Sequence, residues 1–251
     1  SLLNLKKKYG FKIIEDAAHA LGSKYECGNS IGSGAYSDVC VFSTHPVKTI
    51  ATGEGGMITT NDYDIYKHIL RLRSHGINKD DDQFLLPNNA FTDGERNLWY
   101  YEMRELGYHY RITDIQAALG ISQLNKIDKF IQRRKEIVSY YRANIINYDN
   151  LQIVQKENLN SSNHLFVVNF NLNKIKKSKN QIMLEYRDSN IITQVHYIPL
   201  PLHPYFIEKN YTTDNIKNSL AYFESALSLP CYYALSNNEI DFIIDKTNLI
   251  I

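Results

Sequence analysis

The chain has little cysteine and almost no excess charge of either sign. Its three cysteines, Cys27, Cys40 and Cys231, are widely spaced and odd in number, with no CxxC pair. That excludes a disulfide framework and a cysteine zinc site, and leaves reduced thiols as the simple reading. Lys and Arg total 28 against 27 Asp and Glu, a formal charge of +1, so no strong field draws the chain to nucleic acid or an anionic membrane. No apolar run approaches the roughly 20 residues that span a bilayer, and no charged leader precedes an apolar segment. GxxxxGK(S/T) is absent, as is a GxGxxG placed between strand and helix, so nucleoside-triphosphate chemistry has no support. There is no internal repeat, no low-complexity linker and no initiator methionine, the chain opening at Ser1. These absences predict a cytoplasmic protein that acts on small ligands or other proteins, with no nucleic acid, no membrane and no metal.

What is present centres on residues 39–61, VCVFSTHPVKTIATGEGGMITTN. Val39–Ser43 is a compact apolar run rich in β-branched and aromatic residues and reads as a buried strand, with Met57–Thr60 as its successor. Between them stand Lys48 and the turn Gly53-Glu54-Gly55-Gly56, where glycine lets the backbone take positive φ and approach other groups. A lysine held at such a strand end and partly desolvated loses charged character, and its neutral amine can attack a carbonyl. The plain alternative is a solvated lysine in a hairpin.

The rest of the chain alternates helix and strand, the rhythm of an α/β fold in which ligands collect at strand carboxyl ends. Leu2–Lys8 is expected to be helical with Gly10 as its stop, and Phe11–Ile14 a strand ending in Glu15 and Asp16. Asp16 sits at such a carboxyl end, His19 follows three residues later, and small residues 17–22 leave room for a ligand; a capping aspartate and a hydrogen-bonded histidine are the structural alternative. Glycines 28, 32 and 34 predict a hairpin over 25–36. Asp62 is expected to cap a helix reaching Ser74, and residues 78–102 read as a long polar loop whose Asp80, Asp81 and Asp82 form a solvated tip. Thr113 is expected to cap one continuous helix over 114–144 that bridges two lobes. Beyond it the pattern predicts strand 164–170, helix 178–187, strand 192–196, an extended Pro-rich connection over 197–206, and helices 217–227 and 237–245.

Four stretches combine into a more specific signal: EDAAHALGSKY from Glu15, FSTHPVKTIATGEGGMITTND from Phe42, ELGYHYRITDIQAALG from Glu105 and HYIPLPLHPY from His196. Together they resemble the DegT/DnrJ/EryC1/StrS aminotransferases, and the flagellin-glycosylation branch in particular. The resemblance implies a fold-type I α/β transferase using pyridoxal 5′-phosphate, with residues 1–120 the later part of the large cofactor domain and 121–251 a bridging helix plus a small C-terminal α/β domain. It also implies that a cofactor-binding segment precedes Ser1 in the family and is not in this chain. Lys48 would be the Schiff-base lysine, Asp16 the partner of the pyridine nitrogen, His19 the neighbour of the phenolic oxygen, and Ser43 a phosphate-binding hydroxyl. His109 stands where the family usually has an asparagine that reaches the partner subunit's cofactor phosphate, which implies a homodimer, while Arg111 is expected to anchor its loop. His196 and Tyr197 would line the sugar site. The implied reaction moves an amino group from L-glutamate to the 4-keto carbon of a UDP-linked 4-keto-6-deoxy-N-acetylhexosamine. The alternatives are a related nucleotide-sugar enzyme, including a dehydratase in which histidine replaces the lysine, and a remnant acting as an interaction module.

Overall fold

Asp38 fixes the first strand pair. Its amide donates to the Ile13 carbonyl at 2.9 Å and its carboxylate accepts from the Ile13 amide at 2.8 Å. This pins the chain just ahead of β1 (Ile14–Asp16), which runs parallel to β2 (Val39–Ser43) with Asp16 opposite Val41. The expected strand over 11–14 forms later, at 14–16, with the Ile13 carbonyl accepting from the Asp38 and Val39 amides just ahead of it. β3 (Gly56–Thr59) pairs antiparallel to β2 with Ser43 opposite Gly56. Cys40 and Phe42 carry the buried face, 1% and 6% exposed. Ahead of the sheet, α1 (Leu2–Tyr9) stops at Gly10, whose φ of 72° lets its amide bond the Lys6 carbonyl at 2.8 Å.

In the computed structural model, residues 2–80, 84–145 and 149–251 are described, and they divide into two compact units. Unit 1 comprises residues 1–18 and 29–124. After the sheet, α2 (Tyr63–Arg73) starts where expected, the Asp62 carboxylate accepting from the Asp64 and Ile65 amides. The described residues of the 78–102 stretch form more secondary structure than its polarity predicts. β4 (Ile77–Asn78) pairs with β7 (Glu102–Met103), and between them lie α3 (Pro87–Ala90) and a hairpin of β5 (Phe91–Thr92) and β6 (Glu95–Arg96). Asp93 and Gly94 both take positive φ at its turn, the conformation an Asp-Gly pair favours. The stretch is held from inside by the Glu102 carboxylate, which accepts from the Leu85 and Leu86 amides, each at 2.8 Å, and from the Tyr100 hydroxyl at 3.2 Å. Of the acidic tip, Asp80 pairs with Lys67, and Asp81 and Asp82 lie outside the described residues. The hairpin expected over 25–36 is a succession of turns, with positive φ at Gly28, Gly32 and Gly34.

The single helix expected over 114–144 is two, α4 (Asp114–Leu124) and α5 (Ile127–Asn144). Lys126 leaves helical geometry at φ −111° and ψ 2°. α4 buries no residue while α5 buries Ile131, Ile137, Val138 and Tyr141, because the break is where the chain passes into unit 2.

Unit 2 comprises residues 19–28 and 125–251. Its antiparallel sheet has the order β10 (Ala226–Leu229), β9 (Phe166–Phe170), β8 (Leu151–Ile153). Phe166 and Val168 from the sheet meet Tyr141 of α5, Tyr186 of α7 (Lys179–Asp188) and Ile240 of α10 (Asn237–Ile250) in one core. Ser178 and Ser236 open α7 and α10 with reciprocal capping boxes to Gln181 and Glu239, each supplying partners to otherwise orphaned amides. α6 (Leu172–Ile175) is a single turn ending at Lys176 in the left-handed region. The helix expected over 217–227 ends early as α9 (Lys217–Ser225), because Ala226 and Leu227 pair with Asn169 and Val168. No strand forms over 192–196. There is only an isolated bridge between Gln194 and Ser228. The Pro-rich connection is not wholly extended, since Leu200–Leu202 makes a 3-10 turn and α8 (Pro204–Glu208) starts with proline in its first turn, a position where proline has no amide to lose. Among the described residues no helix is long and apolar enough to cross a membrane.

Candidate active site

Lys48 lies on a loop between β2 and β3 that is closed at its base. The Thr44 amide donates to the Gly55 carbonyl at 3.0 Å and the Thr52 amide to the Thr44 carbonyl at 2.9 Å. The two threonine hydroxyls meet at 2.7 Å, and the Thr52 hydroxyl also reaches the Glu54 carbonyl. Thr49 and Ile50 are buried, so the loop is packed from within. Gly55 is required in the base: at φ 145° an added Cβ would lie 2.8 Å from the Thr52 hydroxyl oxygen and 3.0 Å from that of Thr44. Gln116 of α4 donates to the Glu54 carbonyl at 2.9 Å and ties the loop to the helix. Lys48 is half-buried, its amide bonded to the His45 carbonyl at 2.9 Å. Burial lowers the pKa of its amine, with the Asp16 carboxylate pulling the other way.

Asp16 ends β1 with an exposed carboxylate that accepts from the Ala18 amide at 3.0 Å. Its register partner is Val41, and Ser43 is two residues further along β2, so Asp16 and Ser43 share one face of the sheet. Unit 1 thus sets Asp16 and Ser43 on one sheet face, with Asp16 near enough to Lys48 to act on its amine. His109, also in unit 1, is exposed, bridges Ser74 across the backbone and sets its ring 5.6 Å from that of His75. Arg111 is exposed and lines a cavity of about 460 Å³ with Lys67, Arg71, His75 and Lys79.

His19, His196 and Tyr197 lie in unit 2. The His196 ring nitrogen Nδ1 is 2.7 Å from the Ser228 hydroxyl, while the Tyr197 ring is exposed and edge-on to His196 at 4.7 Å. His19 stands 6.4 Å from His196 and 4.5 Å from His164. His164 is a residue that sequence reasoning treated only as the edge of a strand. Nothing local marks it, since Arg134 and His19, which meet it, lie thirty or more positions away.

The sequence profile of the DegT/DnrJ/EryC1/StrS aminotransferase family matches residues 1–248. The chain is 34% identical over 243 residues to a Campylobacter jejuni UDP-4-amino-4,6-dideoxy-N-acetyl-beta-L-altrosamine transaminase, covering 96% of this chain and 59% of the relative. Among solved structures, Helicobacter pylori PseC, an aminotransferase described as acting in pseudoaminic acid biosynthesis, superposes with a TM-score of 0.83 at 27% identity, over 98% of this chain and 61% of that one. A sugar aminotransferase of Streptococcus pneumoniae in its PLP-form superposes with a TM-score of 0.80 at 29% identity, over 98% and 59%. The chain thus spans about three fifths of the length of these relatives, which are pyridoxal-phosphate-dependent aminotransferases. With nearly its whole length matched, it belongs to the DegT/DnrJ/EryC1/StrS aminotransferase family.

Proposed function

We propose that the chain carries the amino-transfer chemistry of a pyridoxal-phosphate-dependent nucleotide-sugar aminotransferase. The observation that carries this reading is the Lys48 amine, with its pKa lowered by burial and the Asp16 carboxylate as its opposing influence. The donor set fits the cofactor: a nucleophilic amine on a closed loop, a carboxylate at the end of a parallel strand, and a hydroxyl on the same sheet face. Bound pyridoxal phosphate supplies an electron sink that makes the α-proton of an amino donor removable. Lys48 Nζ, once neutral, would take that proton and return it during transfer. The Asp16 carboxylate would face the pyridine nitrogen and keep it protonated, and the Ser43 hydroxyl would hold the phosphate. His19 is assigned to the phenolic oxygen, and His196 and Tyr197 to the sugar.

The amino donor we assign is L-glutamate, and the acceptor a UDP-linked 4-keto-6-deoxy-N-acetylhexosamine, in cytoplasmic synthesis of a surface sugar such as pseudaminic acid. The assignment is supported by the names of the similar Campylobacter and Helicobacter proteins. His109 would meet the partner's cofactor phosphate in a homodimer. Support for that comes from the stretch around it, where Leu98, Trp99, Leu106 and Tyr110 are 88%, 73%, 74% and 69% exposed.

The test is incubation with pyridoxal phosphate, borohydride reduction and peptide mass spectrometry. Selective modification of Lys48, abolished in Lys48→Ala, is the expected result. Modification scattered over surface lysines, unchanged in Lys48→Ala, would refute the assignment of Lys48.

A further inference from the structure

The segment that follows Asp16 is held by unit 2. Residues 19–28 belong to that unit, and their attachments run to residues 160–164. The Lys24 amide donates to the Asn160 carbonyl at 2.8 Å, the Ser23 and Ser162 hydroxyls meet at 3.0 Å, and the Ser162 amide donates to the Ser23 hydroxyl at 2.9 Å. Gly22, at φ 82°, approaches Ile131 of α5 so closely that a Cβ would lie 2.1 Å from its Cδ1. At the head of this clamped segment the His19 ring rests against His164, with centroids 4.5 Å apart and planes at 57°.

The His164 main chain is held in place. The residue is 8% exposed, and its carbonyl accepts from Arg134 Nη1 at 3.0 Å. Arg134 is 5% exposed and also donates to the Cys231 carbonyl, so one buried guanidinium joins the His164 main chain to the residue two past β10. On the other side His196 is steadied by Ser228. His19 therefore has two rings bounding it, one buried and one tethered.

We infer that His164 is a positioning residue that sets the orientation of the His19 imidazole. The two nitrogens of an imidazole differ in what they donate or accept, so ring orientation decides which of them faces a ligand. A tilted ring contact at this distance restricts rotation about the last side-chain bond. The consequence for cofactor binding rests on the function proposed above, in which His19 meets the phenolic oxygen, whereas the orientation of His19 itself does not.

The experiment compares the parent with His164→Ala, which removes the ring, and His164→Phe, which restores a ring without nitrogens. Three quantities are measured: thermal stability, the ¹⁵N shifts of the His19 ring nitrogens in cofactor-free protein, and the dissociation constant for pyridoxal phosphate by absorbance titration. We expect His164→Ala to change the tautomer balance of His19 and to weaken cofactor binding about two- to tenfold. His164→Phe should return both toward the parent, a rescue that a change in stability alone does not produce. His19 nitrogen shifts that stay at parental values in His164→Ala would overturn the inference. So would a His164→Phe protein of parental stability that fails to restore them. If the parent does not bind the cofactor at Lys48, the proposed function fails, while the nitrogen shifts still decide the role of His164.

Discussion

Asp38→Asn tests the charge that seats β1 on β2. The Asp38 carboxylate accepts from Lys6 Nζ at 2.7 Å and from the Ile13 amide at 2.8 Å, with Lys12 Nζ at 3.5 Å. The hydrogen bond from Lys6 and then that from Ile13 hold its pKa down, from 3.8 to about 2, with burial opposing. That depression sets a ceiling of about 2.4 kcal/mol at neutral pH. Because the Lys6 and Lys12 side chains are 32% and 58% exposed, water screens the pairs, and about 1 kcal/mol is the expected loss. An asparagine oxygen still accepts from Ile13, so the loss isolates the charge. The folded-state pKa lies below the unfolded one, so the contribution is complete above pH 3.8 and disappears as pH falls through about 2. Hydrogen exchange of the amides of β1 and β2 is the assay, since the two units need not unfold together. Exchange in the variant should be about fivefold faster at pH 7, after correction for intrinsic rates, and the ratio should approach one near pH 2. A ratio of one at pH 7, or one that persists unchanged to pH 2, would refute the electrostatic account.

Two further changes probe packing. In Gly76→Ala, at φ 69°, the new Cβ would lie 1.8 Å from the Glu105 carbonyl oxygen, whereas in Gly10→Ala, at φ 72°, nothing stands within 4 Å. The first should cost unit 1 about 2–4 kcal/mol and displace the 105–109 segment that carries His109, and the second about 1 kcal/mol; equal losses in urea denaturation would show that backbone approach is irrelevant. In the core of unit 2, the Tyr186 and Thr247 hydroxyls are 2.8 Å apart and Thr247 also donates to the Ile243 carbonyl at 2.7 Å. Thr247→Val strands the buried tyrosine hydroxyl and should cost about 1–3 kcal/mol, Tyr186→Phe about 0.5–1.5 kcal/mol, and the double variant less than their sum; strict additivity in a denaturation cycle would count against the pairing.

Local chemistry was enough to place many elements. The apolar run 39–43 forms its strand at the expected bounds, and Asp62 and Ser178 begin their helices where a side-chain oxygen can satisfy the first free amides. The glycine turn and lysine between β2 and β3 were equally legible, because turn geometry depends on residues a few positions apart. The motifs also pointed to the family that the profile match establishes. Tertiary structure decided the rest. Residues 226 and 227 continue a helical pattern yet open β10, because pairing with Asn169 and Val168 outweighs a weak local preference. The apolar periodicity across 114–144 does not show the break at Lys126, since each half packs in a different unit. His19 reads in sequence as a companion of Asp16, but its ring neighbours are His164 and His196. Sequence patterns record which residues seek burial or a turn, and only the folded chain decides which distant partners meet them.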